Sequence, residues 1–138
     1  MMKKYNLTFK GYWRDCNRSG LPAISGIYLV YKCLYNQKAK AVKLIELMYI
    51  GQADNIRARN KEHEKRDAFL KECKGEETLC YSVAEVDKAN LNIVENALIF
   101  AQKPRLNEKC KDIYNYEPAE LHLEGKCKFM KHLDFTIK

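Results

Sequence analysis

Gly26-Ile27-Tyr28-Leu29-Val30-Tyr31-Lys32-Cys33-Leu34-Tyr35, followed after a polar break by Val42-Lys43-Leu44-Ile45-Glu46-Leu47-Met48-Tyr49-Ile50-Gly51, is the stretch on which the fold turns. Both runs are rich in β-branched and aromatic residues, the composition of strands packed in a core. Asn36-Gln37-Lys38-Ala39-Lys40 between them reads as a turn, so the two runs are expected to pair as an antiparallel hairpin. Upstream, Tyr5 to Lys10 alternates apolar and polar residues and reads as a short strand ending at Gly11. Downstream, Asp54-Asn55 can cap a helix running to about Cys73, with Gly75 placed where a C-terminal glycine belongs. Leu79 to Ala84 reads as a third strand of the main group. A second helix spans about Lys88 to Gln102 and is stopped by Pro104. Leu121–Glu124 and Asp134–Ile137 read as two short strands. The expected class is α+β: a central three-stranded antiparallel sheet flanked by helices, with extra short strands at the two ends.

The 138 residues suit a single domain spanning 1–138. Twenty-five Lys and Arg against 18 Asp and Glu give a net charge of +7, which suits a polyanionic partner. The first residues lack the apolar run of a signal peptide, and the most apolar stretch, Ala23 to Cys33, is too short to span a membrane. The expectation is a cytoplasmic protein with no membrane partner. The six cysteines show no short C-x2–4-C spacing, so structural zinc is not expected; they read as reduced, mostly core-filling residues.

Three groups of residues fit neither a plain core nor a plain surface. On a helical wheel Ile56, Arg59, Asn60, His63, Asp67 and Leu70 share one face, with Arg59 and His63 one turn apart. A functional face and a solvated charged face both fit that pattern. Glu95 lies about 40° from Leu91, inside the apolar stripe of the second helix. A carboxylate buried there needs a compensating charge, a bound metal or a nearby cation; the alternatives are a salt bridge to Arg or Lys, or a place at the stripe's rim. Tyr28 and Tyr49, each next to a motif glycine, can lie side by side at one end of the hairpin. There they serve either as core aromatics or as phenols that bond phosphate or water.

Gly26-Ile27-Tyr28, Tyr49-Ile50-Gly51, Arg59, His63, Glu95-Asn96-Ala97-Leu98-Ile99 and Lys103-Pro104-Arg105-Leu106-Asn107 stand in this order within a motif core at 24–110. In that order they resemble the GIY-YIG nuclease superfamily. Residues 111–138 form a C-terminal extension beyond the resemblance. The resemblance implies a metal-dependent endonuclease that hydrolyses a phosphodiester bond in DNA with a water nucleophile and one Mg²⁺ or Mn²⁺ per active site. It implies that Glu95 binds the metal, that Arg59 stabilises the transition state, and that Tyr49 with His63 or Tyr28 orients or deprotonates the attacking water. Asn107 and Gly51 fall at its substrate-contacting positions, with Asn107 holding substrate or local backbone. Twenty residues separate Tyr28 from Tyr49, a longer hairpin than is common in the family, and Lys38, Lys40 and Lys43 are expected to reach along the DNA. Gln52 stands where some members carry lysine. The alternative is a non-catalytic nucleic-acid-binding domain that keeps the fold.

Overall fold

A computed structural model describes residues 2–138. Its frame is one six-stranded mixed sheet, curled into a half-barrel. In chain order the strands are β1 (Lys3–Arg14), β2 (Gly26–Asn36), β3 (Ala41–Ala53), β4 (Thr78–Glu85), β5 (Ala119–Gly125) and β6 (Asp134–Ile137). In space they run β3-β2-β4-β1-β5-β6; β1 and β5 are parallel and every other pair is antiparallel. The helices are short: α1 (Ile56–Lys61), α2 (Arg66–Lys71) and α3 (Leu91–Gln102), with 3₁₀ turns at Asp15–Gly20 and Lys88–Asn90.

The expected three-stranded central sheet is therefore corrected. The β2–β3 hairpin pairs with β4 as its composition suggests, but β4 is no edge. Lys10 to Arg14 of β1 pair with its far side, and the preceding residues of β1 carry β5 and β6 onward. The end strands are thus continuous with the main sheet. The cause is the length of β1, twice the six-residue reading. Leu7 and Phe9 bury one side of it, whereas its last residues alternate too weakly to show in sequence. The long first helix is likewise corrected. Asn55 does cap its start, its side chain accepting from the Ala58 amide at 3.1 Å, but the helix breaks at Glu62–Lys65 into α1 and α2. No proline or glycine causes the break. His63 turns inward to a tertiary partner, and that contact overrides the helical propensity of a Lys- and Glu-rich segment. The second helix divides into the 3₁₀ turn at Lys88–Asn90 and α3, which ends at left-handed Lys103.

Both faces of the sheet are covered. On one, Ile27, Leu29 and Tyr31 of β2 pack with Leu91, Val94 and Leu98 of α3 and with Cys127 and Met130 of the C-terminal segment. On the other, Tyr28 and Val30 pack with Met48, Ile56, Phe69 and Tyr81. The run of alternate faces explains why β2 reads as continuously apolar. Cys33, Cys80 and Cys127 are buried, Cys73 and Cys110 are half-buried, and Cys16 is exposed; all six are free thiols. Among the described residues no helix is long and apolar enough to cross a membrane.

Candidate active site at the outer edge of the sheet

Strand β3 is an edge strand, and the chain after α3 returns to line it. The Leu106 amide donates to the Met48 carbonyl at 3.0 Å. One residue on, the Asn107 side chain accepts from the Ile50 amide at 2.9 Å and donates to the Ile50 carbonyl at 2.9 Å. Asn107 is buried and closes this edge as a backbone group would. Both ends of its amide are committed, so of its two expected roles the structure shows the one toward local backbone.

The hairpin register sets Tyr28 opposite Gly51 and Val30 opposite Tyr49. The two tyrosines are diagonal neighbours on one face, their ring centroids 6.4 Å apart. The Tyr28 ring lies flat over Gly51: a Cβ there would meet the ring carbon Cζ at 2.3 Å and the hydroxyl at 2.4 Å. Gly51 is thus the floor on which Tyr28 rests. Gly26 is as constrained, since a Cβ would stand 2.1 Å from the Ala84 carbonyl oxygen.

His63, in the break between α1 and α2, is buried with its Nε2 2.7 Å from the Tyr28 hydroxyl. Its Nδ1 accepts from the Lys65 amide at 3.0 Å. A ring nitrogen that accepts an amide proton carries none of its own, so in the neutral imidazole the proton sits on Nε2 and is donated to the Tyr28 oxygen. The Tyr28 hydroxyl proton is then left to be donated onward. Burial, aided by the Arg59 charge, pushes His63 down to about 4, so it is neutral at physiological pH. Burial also raises Tyr28 and Tyr49 above the ordinary phenol value, with the Glu95 charge adding to both, and both phenols stay protonated. Phe69 packs on Tyr49 and His63 at centroid distances of 5.0 and 5.3 Å and fixes their rings.

Arg59, on α1, bears on both tyrosines electrostatically and approaches Glu64 at 3.4 Å. Its side chain is about one-third exposed, and the weak pair with an exposed Glu64 leaves it available to an anion. Glu95 arrives from the other side: α1 and α3 cover opposite faces of the sheet, and the Glu95 carboxyl reaches the cleft around the β3 edge. Its Oε1 accepts from Gln52 Nε2 at 3.0 Å, and the same amide donates to Asn92 at 2.7 Å. Burial raises the Glu95 carboxyl above its ordinary value, and the amide of Gln52 offsets this only in part. Tyr49, Glu95, Lys65, Asn107, Glu64 and Glu108 are among the walls of a cleft of about 250 Å³.

The structure thus brings Tyr28, Tyr49 and His63 into contact and sets Tyr49 and Glu95 on one cleft, while Arg59 bears on the two tyrosines from α1. It separates Lys38, Lys40 and Lys43 from them. Lys38 and Lys40 stand at the far tip of the hairpin, beyond Asn36, which is eight residues along β2 from Tyr28 or roughly 25 Å at strand rise; Lys43 lies opposite Leu34, six residues along. Gln52 was passed over in sequence except as a replaced lysine; its place beside Gly51, with Asn92 and Glu95 one helical turn apart, was the available signal. Among the described residues no group of three or more His, Cys, Asp or Glu is placed to hold a metal. One half-buried carboxylate, with Glu64 and Glu108 on the same open cleft but not grouped with it, does not fit structural zinc. It fits a hard cation that keeps most of its waters and takes its remaining ligands from substrate. Comparison with protein-family models, with curated proteins and with solved structures returned no match to this chain.

Proposed function

We propose that the cleft is the active site of a metal-dependent endonuclease of GIY-YIG type, acting on a phosphodiester bond of DNA. The observation that supports this reading best is the contact of Tyr28, Tyr49 and His63 beside a cleft that Tyr49 shares with Glu95, with the Arg59 charge bearing on both tyrosines from α1. Arg59 is the cationic donor for the non-bridging phosphate oxygens, whose charge grows in the transition state. Tyr28 and Tyr49 are neutral phenols, and therefore donors that orient phosphate and the attacking water rather than bases that ionise it. His63 acts through Tyr28: its Nε2 proton fixes the phenol oxygen, which turns the hydroxyl proton toward the cleft. Glu95 would hold Mg²⁺ or Mn²⁺, with Gln52 and Asn92 setting the carboxyl's orientation. When bound, such an ion supplies charge neutralisation at phosphate and a water of lowered pKa. In the net reaction water's oxygen forms the new P–O bond as the old one breaks, one of its protons passes through solvent to the leaving oxygen, and Arg59 and the tyrosine hydroxyls donate to the phosphate oxygens.

The test is cleavage of supercoiled plasmid in Mg²⁺ or Mn²⁺, wild type against Glu95→Ala. Nicking or linearisation by the wild type alone supports the reading. Equal cutting by both, or binding without cutting by either, overturns it; the second outcome would favour a non-catalytic nucleic-acid-binding domain.

A further inference from the structure

A second feature lies on the far side of α1 from the cleft. The 3₁₀ turn at Asp15–Gly20 and α1 face each other across a groove of about 480 Å³ lined by Cys16, Arg18, Ser19, Arg57 and Lys61. The two walls are tied together by the chain itself. The Ile56 and Arg57 amides donate to the carbonyls of Ile24 and Pro22, and Arg57 Nε donates to the Leu21 carbonyl at 2.6 Å. Three of the five lining residues are cationic and none is acidic. Asp15, at the start of the 3₁₀ turn, is buried and already engaged by Arg66 and Tyr81 as well as by Arg18. Lys61 makes no hydrogen bond or ion pair among the described residues. Asp15 offsets Arg18, so Arg57 and Lys61 leave the concavity with positive charge that an anion outside the protein would compensate. Because Arg57 and Lys61 share α1 with Arg59, an anion in this groove and one in the cleft are held by opposite sides of the same helix.

We infer that this groove, formed by Arg18, Arg57 and Lys61, is a docking track for the phosphate backbone of DNA flanking the strand segment in the cleft. This rests on the endonuclease reading for its choice of substrate, but its test does not require cleavage. The backbone is the polyanion that a +7 chain accommodates, and each phosphate neutralised releases counterions and steepens the salt dependence of binding. Arg57 and Lys61 carry binding and register here, and Arg59 carries chemistry.

The experiment is fluorescence anisotropy of a labelled duplex with the full chain, in EDTA, across a salt series. The wild type is compared with Arg57→Gln/Lys61→Gln and with Lys38→Gln/Lys40→Gln at the hairpin tip, which removes equal charge. The groove variant should bind several-fold more weakly, with a salt slope smaller by about 2, while the hairpin variant keeps the wild-type slope. Thermal unfolding of the groove variant should fall by no more than a few degrees, because Arg57→Gln gives up the bond to the Leu21 carbonyl while a repulsion is removed. In parallel, saturating duplex should slow iodoacetamide alkylation of Cys16, read by peptide mass. An unchanged slope in the groove variant, its loss in the hairpin variant instead, an unprotected Cys16, or no duplex binding by the wild type would each overturn the inference. Wild-type binding that is lost in the groove variant, without plasmid cutting, would uphold the groove and overturn the nuclease reading. Normal cutting with an unchanged slope would do the reverse.

Discussion

Two carboxylates on this small frame, Asp15 buried and Glu95 half-buried, are held in opposite ways. Asp15, at the start of the first 3₁₀ turn, accepts from Arg66 Nε at 3.2 Å, from Arg66 Nη2 at 2.5 Å and from the Tyr81 hydroxyl at 2.7 Å, with Arg18 at 3.4 Å. Burial alone would raise its carboxyl, but the bonds and charges of Arg66 and Tyr81 outweigh it and hold Asp15 below its ordinary value. Among the described residues Glu95 has one amide donor and no cation within bonding distance, and burial leaves its carboxyl above its ordinary value. The first cluster is closed: its charges satisfy one another and pin the 3₁₀ turn to α2 and β4. The second is open on the side that faces the cleft. A carboxylate whose compensation is complete holds a fold together, and one whose compensation is missing is suited to receive a cation.

Breaking the closed cluster should have the largest effect. Asp15→Ala leaves Arg66 without its buried partner and should cost about 3–5 kcal/mol of unfolding free energy, read by urea titration, with the cleavage rate per folded molecule unchanged. Arg66→Ala should cost a similar amount, and the double variant far less than the sum of the two. A purely additive pair would show that the cluster is not one unit. On the open side, Arg59→Ala should lower plasmid cleavage by at least about 100-fold while shifting the unfolding midpoint little. A large drop in midpoint would make Arg59 a packing residue.

The pH dependence of stability sharpens the contrast because the signs differ. Asp15 is depressed, so its contribution is present above its ordinary value and is lost as pH falls through the folded one. His63, depressed from 6.5 to about 4, adds the same direction: the unfolded chain takes up its proton first, and stability falls as pH drops through that window. Glu95 is raised, so its contribution is present below its ordinary value and is lost as pH rises through the folded one. Urea midpoints measured across the acid range should therefore show a shallower acid loss in Asp15→Asn and in His63→Asn. In Glu95→Gln the profile should lift at the neutral end. The smallest effect is expected from Mg²⁺: a rise of a degree or so in the midpoint by mass action, absent in Glu95→Gln. An equal rise in both proteins would place the ion elsewhere.

Much of the frame was readable because strands announce themselves locally. The β2–β3 hairpin and β4 lie within a residue or a few of their apolar runs, and Asn55 caps where its side-chain chemistry says it should. Glu95 stood out because a carboxylate inside an apolar stripe is a local conflict. What was not readable depends on partners remote in sequence. The pairing of β1 with both β4 and β5 sets the sheet at six strands, and nothing within β1 names those neighbours. The break that frees His63 is made by Tyr28, 35 residues earlier. Asp15 lay in what reads as a turn-rich loop, and its salt bridge to Arg66 spans 51 residues, so the closed cluster left no signature in sequence at all. Asn107 was expected to hold either substrate or local backbone; it bonds the backbone of Ile50, a strand edge visible only in three dimensions.

The most direct test of the contrast takes Glu95→Gln through two assays on one preparation: plasmid cleavage in Mg²⁺, and thermal unfolding in EDTA at neutral pH. An open carboxylate that serves an ion rather than the fold predicts that cleavage is lost while the unfolding midpoint holds or rises. Retained cleavage with a midpoint lowered by several degrees would show that Glu95, like Asp15, is a structural group, and would contradict the account.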